Sequence, residues 1–312
     1  MNAGAGFDDD DMTRGPLYSK AGFVLALFTT MLWGTLPVVI KPLLASMSTI
    51  TITWYRYAVS AILLTAFLRW RGKLPIPADL RSIAPWLVGA VIAFAGNNLL
   101  FLAGLNYVGP SAAEVVIQLA PVVLILAGIL VFKEAFSVLQ WLGIAVLLGG
   151  MAMFFYRDLA GAIASPGVLL IVLSSGLWTA YAIFQKHLQR TLPSLSILWT
   201  VYVSGAVMLL PFAEPGQVRG LDALGWVFLI YCSLNILVAY ASFARAMAHW
   251  EVSRVSAVVA TTPLFTVIFT ELAARLWPGR VAHEGLDWLQ IAGGVLVAGG
   301  SIVAALARRS KT

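Results

Sequence analysis

Ten apolar segments, each about as long as a lipid bilayer is thick, restrict most strongly how this 312-residue chain can fold. They lie near residues 22–43, 50–68, 83–104, 111–132, 138–156, 167–185, 194–212, 222–244, 252–276 and 286–307. A helix needs about 20 mostly apolar residues to cross the hydrocarbon core. The chain is 60% apolar and only 11% charged, whereas a soluble domain carries about 25% charged residues. We therefore predict an all-α integral membrane protein with ten transmembrane helices.

The segments between these helices are too short to hold a soluble domain. We expect one ten-helix membrane domain over residues 21–308, a disordered tail over residues 1–20 and a basic tail over residues 309–312. The first tail carries four consecutive aspartates, Asp8 to Asp11, and no apolar core of the kind found in signal peptides. We therefore expect no cleaved signal sequence and a cytoplasmic N-terminal tail.

The chain repeats itself, and the length of the repeat predicts its topology. Trp33 corresponds to Trp178, 145 positions later, and Pro121 corresponds to Pro263, 142 positions later. Gln140-Trp-Leu-Gly143 resembles Gln290-Ile-Ala-Gly293, 150 positions later, which implies eight extra residues in the loop before the last helix. The repeats cover residues 21–157 and 165–308, with five helices each. Two consecutive copies with an odd number of spans enter the membrane in opposite directions, so we expect inverted repeats around a central cavity.

The distribution of basic residues agrees with this topology. If both termini are cytoplasmic, fourteen Lys and Arg residues fall on the cytoplasmic side and five on the other side. This is the positive-inside bias of a protein in the cell or inner membrane. It also explains the isoelectric point of about 9.6, so we expect the lipid bilayer as the environment of the chain and no nucleic-acid partner.

The residue types that carry most enzyme chemistry are scarce. The single cysteine, Cys232, lies within a predicted helix, and the three histidines are far apart in sequence. No metal-ligand spacing, nucleophile motif or paired acidic motif is present. We expect no catalytic residues, no bound metal and no cofactor.

A polar stripe on an otherwise apolar helix is the first candidate site. Glu114, Gln118 and Pro121 are spaced so that they share one face of the fourth helix. A carboxylate inside a bilayer costs several kcal/mol, so such residues usually face a cavity. Glu114 could bind an ammonium group of a substrate or carry a proton. Alternatively, it lies close enough to the helix end to reach water or to cap the helix.

The third helix offers a second candidate, because Phe94, Asn97, Asn98 and Phe101 share one face. The amides could hydrogen-bond the amino or carboxylate group of a small-molecule substrate, and the rings could stack on its side chain. The alternative is that the amides only connect neighbouring helices, which is worth about 0.6 kcal/mol on average.

Aromatic residues near the middle of other helices extend this site. Trp33 and Trp178 lie about eleven residues into the first and sixth helices, so they are not interfacial tryptophans. With Tyr181 and Tyr240 they could line or gate the cavity. Because the tryptophans recur in both repeats, they could equally be packing residues that the fold requires.

The two corresponding prolines, Pro121 and Pro263, predict either a paired hinge for alternating access or two static kinks. Arg56 in the second helix could pair with Glu114 or with a substrate carboxylate, but an arginine in such a place more often extends to the membrane interface. We interpret Trp54, Tyr55, Trp199 and Tyr202 as an aromatic belt at one membrane face.

Taken together, these motifs resemble a known family. The Leu-Trp pair early in each repeat, Lys133-Glu134 after the fourth helix, Gln140-Trp-Leu-Gly143 and the Gly149-Gly150 pair resemble EamA-type members of the drug/metabolite transporter superfamily. The second repeat departs from the pattern, because only Arg275 stands near the counterpart of the Lys-Glu pair. The resemblance implies a ten-helix, alternating-access exporter of small metabolites. Within the family, the chain looks most like YddG-type exporters of aromatic and other neutral amino acids.

Several functions compete with amino-acid export. One acidic residue among aromatic rings would also suit efflux of lipophilic cations. A nucleotide-sugar or phosphate carrier would need a cluster of intramembrane Lys and Arg, and only Arg56 is clearly within a span. Channels can also have inverted repeats. Proton coupling and facilitated transport both remain open, and ten helices around one cavity favour a monomer.

Overall fold

The computed structural model describes residues 16–72, 80–120, 122–123, 137–249 and 252–306. All regular secondary structure in these ranges is helical, as predicted. The α-helices are α1 (Pro16–Leu43), α2 (Thr49–Trp70), α3 (Leu80–Leu105), α4 (Pro110–Ile117), α5 (Val138–Phe154), α6 (Leu159–Ala164), α7 (Pro166–Leu188), α8 (Ser194–Leu209), α9 (Ala223–His249), α10 (Val252–Val259), α11 (Thr262–Leu276) and α12 (Trp288–Leu306). Two short 3₁₀ helices, Leu210–Phe212 and Pro215–Gly220, follow α8.

Seven of the predicted membrane spans are confirmed as helices of sufficient length and hydropathy within the described ranges. They are Lys20–Leu43, Thr49–Trp70, Ile83–Leu105, Pro166–Leu188, Ser194–Phe212, Ala223–Met247 and Arg254–Leu276. The predicted fifth and tenth spans correspond to the shorter apolar helices Val138–Phe154 and Trp288–Ala304. The predicted fourth span, 111–132, lies within the described residues only as far as 123, without Pro121.

The first helix begins earlier than the sequence predicted. Residues 1–20 were expected to be a disordered tail, but α1 begins at Pro16. Proline is favoured in the first helical turn because its missing N–H has no helical partner there in any case. Residues 1–15 and the predicted basic tail, 309–312, lie outside the described residues.

The helix starts follow ordinary capping rules. The Ser48 hydroxyl accepts a hydrogen bond from the Thr51 amide at 3.2 Å and caps α2. Ser137 and Gln140 form a reciprocal capping box at the start of α5. Asp158 caps α6, a short helix in the connection between the two repeats. These caps satisfy backbone N–H groups that the helices cannot pair themselves.

The main helix pairs are α1 with α9 and α11, α3 with α7, α2 with α8, and α5 with α12. The sequence repeat makes α1, α2, α3 and α5 the counterparts of α7, α8, α9 and α12. Replacing each helix by its counterpart turns the pair α1–α9 into the pair α7–α3. In the pairs α2–α8 and α5–α12, the two helices are counterparts of each other. Each repeat therefore packs mainly against the other one.

The α5–α12 pair approaches so closely that glycine is required. An added Cβ at Gly150 would lie 2.7 Å from the Val297 amide nitrogen and 2.8 Å from the Gly293 carbonyl oxygen. At Gly143 it would lie 2.9 Å from the Gly300 carbonyl oxygen. Small residues allow helix backbones to approach in this way in membranes. The glycines that recur in both repeats thus form one of the contacts between the repeats.

The outer surface is apolar, as a protein in lipid requires. Large apolar side chains such as Ile62, Val88 and Ile92 are more than half exposed. The largest buried cluster lies among α2, α3, α7, α8 and α9 and includes Tyr57, Phe94 and Tyr202. The polar side chains of Asn97, Asn98, Glu114 and Gln118 are buried in the interior of the helix assembly.

Candidate functional site

Two helices are interrupted at corresponding positions. The helix that starts with α4 ends at Ile117, turns at residues 118 and 119, and is helical again at Ala120. In the second repeat α10 ends at Val259, the chain turns at residues 260 and 261, and α11 begins at Thr262. The turns are 142 residues apart, which is the offset of the repeat in this region. Within the described residues, the helices predicted over 111–132 and 252–276 are therefore each interrupted by a two-residue turn, and Arg254–Leu276 with its turn still has the length of a membrane span.

Hydroxyl groups donate to backbone carbonyl oxygens at and next to these breaks. The Thr262 hydroxyl donates to the Val259 carbonyl oxygen at 2.5 Å, and the Thr261 hydroxyl donates to the Val258 carbonyl oxygen at 2.6 Å. In the first repeat, the Thr179 hydroxyl of α7 donates to the Ala120 carbonyl oxygen at 3.3 Å. Non-helical backbone at membrane depth needs such partners because no water is available from lipid.

The two prolines proposed as hinges differ in what the structure describes. Pro263 is buried in the first turn of α11, directly after the break, where a missing N–H costs nothing. Pro121, the counterpart, lies outside the described residues. A hinge at these positions stays a prediction.

Glu114 lies one turn before the first break and is only 6% exposed. Its carboxyl group makes no hydrogen bond or ion pair with any residue that the structure describes. The helix α4 packs against α1, α3, α7 and α11, so the carboxyl group lies among four helices rather than at the membrane surface. An unpaired buried carboxylate is costly, which makes Glu114 a strong candidate for a ligand or proton site.

Gln118 turns away from this role toward α12. Its amide oxygen accepts a hydrogen bond from the Ser301 hydroxyl at 3.2 Å, and both side chains are buried. Gln118 is also the C-cap residue that follows the last residue of α4. The helix break therefore divides the polar stripe that the sequence suggested, so that Gln118 takes part in a helix contact and Glu114 does not.

The adjacent amides of α3 face different neighbours. The Asn97 amide nitrogen donates to the Ser174 hydroxyl at 2.8 Å, and that hydroxyl donates back to the Asn97 carbonyl oxygen at 3.0 Å. Asn97 thus joins α3 to α7. The Asn98 amide oxygen instead accepts a hydrogen bond from Arg56 at 3.2 Å, and its amide nitrogen donates to the Phe94 carbonyl oxygen at 3.0 Å.

The sequence position of Arg56 suggested that its side chain extends to the membrane interface, but the structure shows that it does not. It is 1% exposed, because α2 packs against α3, α8 and α9. Nor does it pair with Glu114, since its one described hydrogen bond goes to Asn98. The burial of Arg56 is determined by the packing of the surrounding helices. The sequence pattern does not predict this packing.

Six rings, one from each of six helices, form the aromatic cluster. Its members are Trp33, Tyr57, Phe94, Tyr181, Tyr202 and Tyr240. Phe94 is central and fully buried: its ring centroid lies 4.7 Å from that of Tyr181 and 5.0 Å from that of Tyr240. The Tyr181 hydroxyl is buried without a hydrogen-bond partner. A cluster of this kind can bind a flat apolar group and a polar substituent together.

Two members of the cluster were not predicted as site residues. Tyr202 was interpreted as part of an aromatic belt, but it is fully buried and its hydroxyl donates to the Ile236 carbonyl oxygen at 3.0 Å. Tyr57, its counterpart, donates to the Phe94 carbonyl oxygen at 3.3 Å. Phe94 and Ile236 are themselves 142 residues apart. The recurrence of Tyr57 as Tyr202, at the same offset of 145 positions as Trp33 and Trp178, was the sequence signal that could have identified both.

Two predicted site residues lie at or beyond the edge of the cluster. Phe101 is partly buried in a different apolar cluster, together with residues of α1 and α4 such as Ile40 and Val116. Trp178 is partly exposed, and its side chain interacts with the Tyr240 hydroxyl. The structure thus brings together Trp33, Phe94, Tyr181 and Tyr240 and leaves Phe101 apart.

Two charged side chains form hydrogen bonds with the backbone of the connection between α3 and α4, next to the C-terminal end of α1. The Lys41 ammonium donates to the carbonyl oxygens of Leu105, Asn106 and Val108, the last at 3.0 Å. The Glu284 carboxylate accepts a hydrogen bond from the Ser111 amide at 3.1 Å, at the start of α4. Burial raises the pKa of Glu284, against the opposing influences of Ser111 and Lys41. Glu284 belongs to the loop that is longer in the second repeat.

Comparisons with known proteins agree with these features. The model of the EamA-like transporter family matches residues 20–156 and 165–306. An uncharacterized transporter of Haemophilus influenzae is 36% identical over 293 residues, which cover 92% of this chain and 95% of the relative. The uncharacterized inner membrane transporter YhbE of Escherichia coli is 36% identical over 296 residues, 92% of each chain. A crystal structure of a protein at 16% identity, covering 91% of this chain and 97% of the other, shares the fold with a TM-score of 0.63.

Proposed function

Because this chain belongs to the EamA-like transporter family, we propose that it exports neutral and aromatic amino acids by alternating access. It is a multi-pass membrane transporter, and its relatives include inner membrane transporters. The YddG-type resemblance and the nature of the site support the finer assignment of substrate.

We further propose ten transmembrane helices in two inverted repeats, with both termini cytoplasmic. The two separate matches to one family model support a repeat. So do the corresponding helix pairs, the corresponding breaks, and the matching hydrogen bonds of Tyr57 and Tyr202. The bias of basic residues supports the orientation.

The aromatic cluster beside an interrupted helix carries the proposal. Interrupted helices at corresponding positions of two repeats are typical of transporter substrate sites. The cluster provides rings for an aromatic or apolar side chain, and the unpaired Glu114 provides a charge for an ammonium group or a proton. Asn97 and Gln118, which join helices, would hold this site in shape, whereas Asn98 would face the solute. Trp33 and Trp178 would line or gate the cavity, and motion at Pro121 and Pro263 would open it.

The test is transport by the purified protein in proteoliposomes. Radiolabelled phenylalanine, leucine, lysine and a lipophilic phosphonium cation would be supplied with and without a pH gradient. Saturable flux of phenylalanine and leucine, but not of lysine, supports the proposal. Flux of the cation alone would refute amino-acid export in favour of efflux of lipophilic cations.

Two carboxyl-to-amide variants test the role of Glu114. Glu114→Gln should abolish any dependence of flux on the pH gradient if this residue carries the proton, and should weaken binding of amino acids if it binds the ammonium group. Glu271→Gln is the matched control, because Glu271 is 46% exposed and bonded to its neighbour Arg275. Equal flux in wild type and Glu114→Gln under all conditions would exclude both roles.

A further inference from the structure

The interior contains a cation that the proposed roles above do not use. The Arg56 side chain is 1% exposed, yet its only described hydrogen bond is the one to the Asn98 amide oxygen, at 3.2 Å. The Arg56 Nε is buried without a partner, and no described carboxylate forms an ion pair with this guanidinium. A buried charge without a counter-charge costs several kcal/mol, so its presence needs a reason.

The fold does not supply that reason. Arg56 corresponds to Val201 in the second repeat, which is also 1% exposed. The two residues lie on α2 and α8, which correspond to each other and pack together. The same buried position is therefore filled by an ordinary apolar side chain in one repeat. A requirement for packing would not select an arginine in the other repeat.

The guanidinium also lies beside the aromatic cluster. Asn98, its partner, is one helical turn from Phe94 and bonded to its carbonyl oxygen. Tyr57 is the next residue on α2, and Arg56 interacts electrostatically with Tyr57, Tyr202 and Tyr240. A positive charge and the amide that bonds it thus stand at one side of a ring-lined region.

We propose that Arg56 and Asn98 bind the carboxylate group of the transported solute, with the aromatic cluster against its side chain. This inference rests on the proposed function and adds the group by which the solute is recognised. A carboxylate would supply the missing counter-charge and accept from the unpartnered Nε. Guanidinium and carboxylate groups fit each other with two parallel hydrogen bonds. One Asn98 N–H is already used by Phe94, and its second N–H can donate to the same carboxylate.

Three phenyl ligands separate the carboxylate from the rest of the solute. They are phenylalanine, 3-phenylpropionate, which lacks the amino group, and 2-phenylethylamine, which lacks the carboxylate. Binding would be measured by equilibrium dialysis with the purified full-length protein. We expect wild type to bind phenylalanine and 3-phenylpropionate, and to bind 2-phenylethylamine at least tenfold more weakly than phenylalanine.

Two variants test the residues themselves. Arg56→Gln removes the charge and should weaken both carboxylate ligands by roughly 10- to 100-fold, the range of a hydrogen bond to a charged group. Asn98→Asp supplies a carboxylate of the protein at the same atom that Arg56 now contacts. It should keep the fold, because an ion pair replaces the hydrogen bond to Arg56, and the Phe94 carbonyl oxygen, which loses the Asn98 amide as a donor, still accepts from the Tyr57 hydroxyl. It should also exclude the carboxylate of the ligand. Ser60→Ala is the control: Ser60 is buried one turn along α2, and its hydroxyl bonds α9 at the Ser233 carbonyl oxygen. It should leave the order of ligand affinities unchanged.

The outcomes distinguish this inference from the proposed function. If phenylalanine binds Arg56→Gln and Asn98→Asp as tightly as wild type, the inference is wrong and amino-acid transport stands. If 3-phenylpropionate binds wild type and loses affinity in Asn98→Asp, while phenylalanine neither binds nor moves, the carboxylate site stands and the amino-acid assignment is wrong. Should Arg56→Gln not fold, Asn98→Asp alone decides the question.

Discussion

The glycine contact between α5 and α12 allows a quantitative test of how the two repeats are held together. In Gly150→Ala the added methyl group would lie 2.7 Å from the Val297 nitrogen and 2.8 Å from the Gly293 oxygen. Both are backbone atoms, so no side chain can rotate away and the helices must separate. Overpacking of this kind typically costs 1–3 kcal/mol.

The neighbouring glycine provides the control. A Cβ at Gly149 meets no described atom within 4 Å, and alanine gains up to about 1 kcal/mol over glycine in a helix. That gain applies to both variants and cancels, so we expect them to differ by the overpacking cost alone, about 1–3 kcal/mol in free energy of unfolding. The assay is reversible unfolding in mixed micelles with increasing SDS, followed by circular dichroism. If Gly150→Ala is as stable as Gly149→Ala, the close contact does not stabilise the protein and the reasoning is refuted.

Three further predictions concern single side chains. The pKa of Asp287 is lowered by the Tyr156 hydroxyl, the backbone of α12 and Arg157. Asp287→Asn should therefore lower the thermal midpoint of unfolding at neutral pH. The difference between the variant and wild type should vanish as pH falls through the lowered folded-state pKa of Asp287. A constant difference at all pH values would contradict this. The pKa of Glu284 is raised by burial, so wild type should lose stability as pH rises through the folded-state value. Glu284→Gln should lack that loss in the same melting experiment. Phe94→Leu keeps apolar volume but removes ring contacts worth about 0.5–1.5 kcal/mol each, so flux of phenylalanine should fall several-fold relative to leucine; an unchanged ratio would exclude ring contacts with the substrate.

The membrane-spanning architecture was predictable because segment length and hydropathy are local properties. Predicted spans and described helices agree to within a few residues in the confirmed cases. The positions of the helix breaks were harder to predict from the sequence. Proline marked the region, but the turn lies two and three residues before Pro263, at Thr261 and Ala260, and neither residue type is a typical helix breaker. Where the backbone turns depends on which hydroxyl groups can donate to carbonyl oxygens at the breaks, and one of these groups, that of Thr179, lies on another helix.

The direction of individual polar side chains was not predictable either. Asn97 and Asn98 are adjacent, so they point about 100° apart on the helix. The sequence could not show that one would bond Ser174 of α7 and the other Arg56 of α2. The depth of Arg56 in the sequence suggested an interfacial position, but three neighbouring helices bury it. Tertiary packing determines the partners of these side chains, and no pattern in a single sequence predicts that packing.

The contact between α5 and α12 also has a meaning for the ancestry of the molecule. Gly143 lies against Gly300, and Gly150 lies against Gly293. Since Gly293 and Gly300 are the repeat counterparts of Gly143 and Gly150, each surface meets its own equivalent, as at the interface of a twofold-symmetric homodimer. A polypeptide of half this length already carries both sides of that interface. Two identical half-chains could therefore join through the same glycines without any further interface.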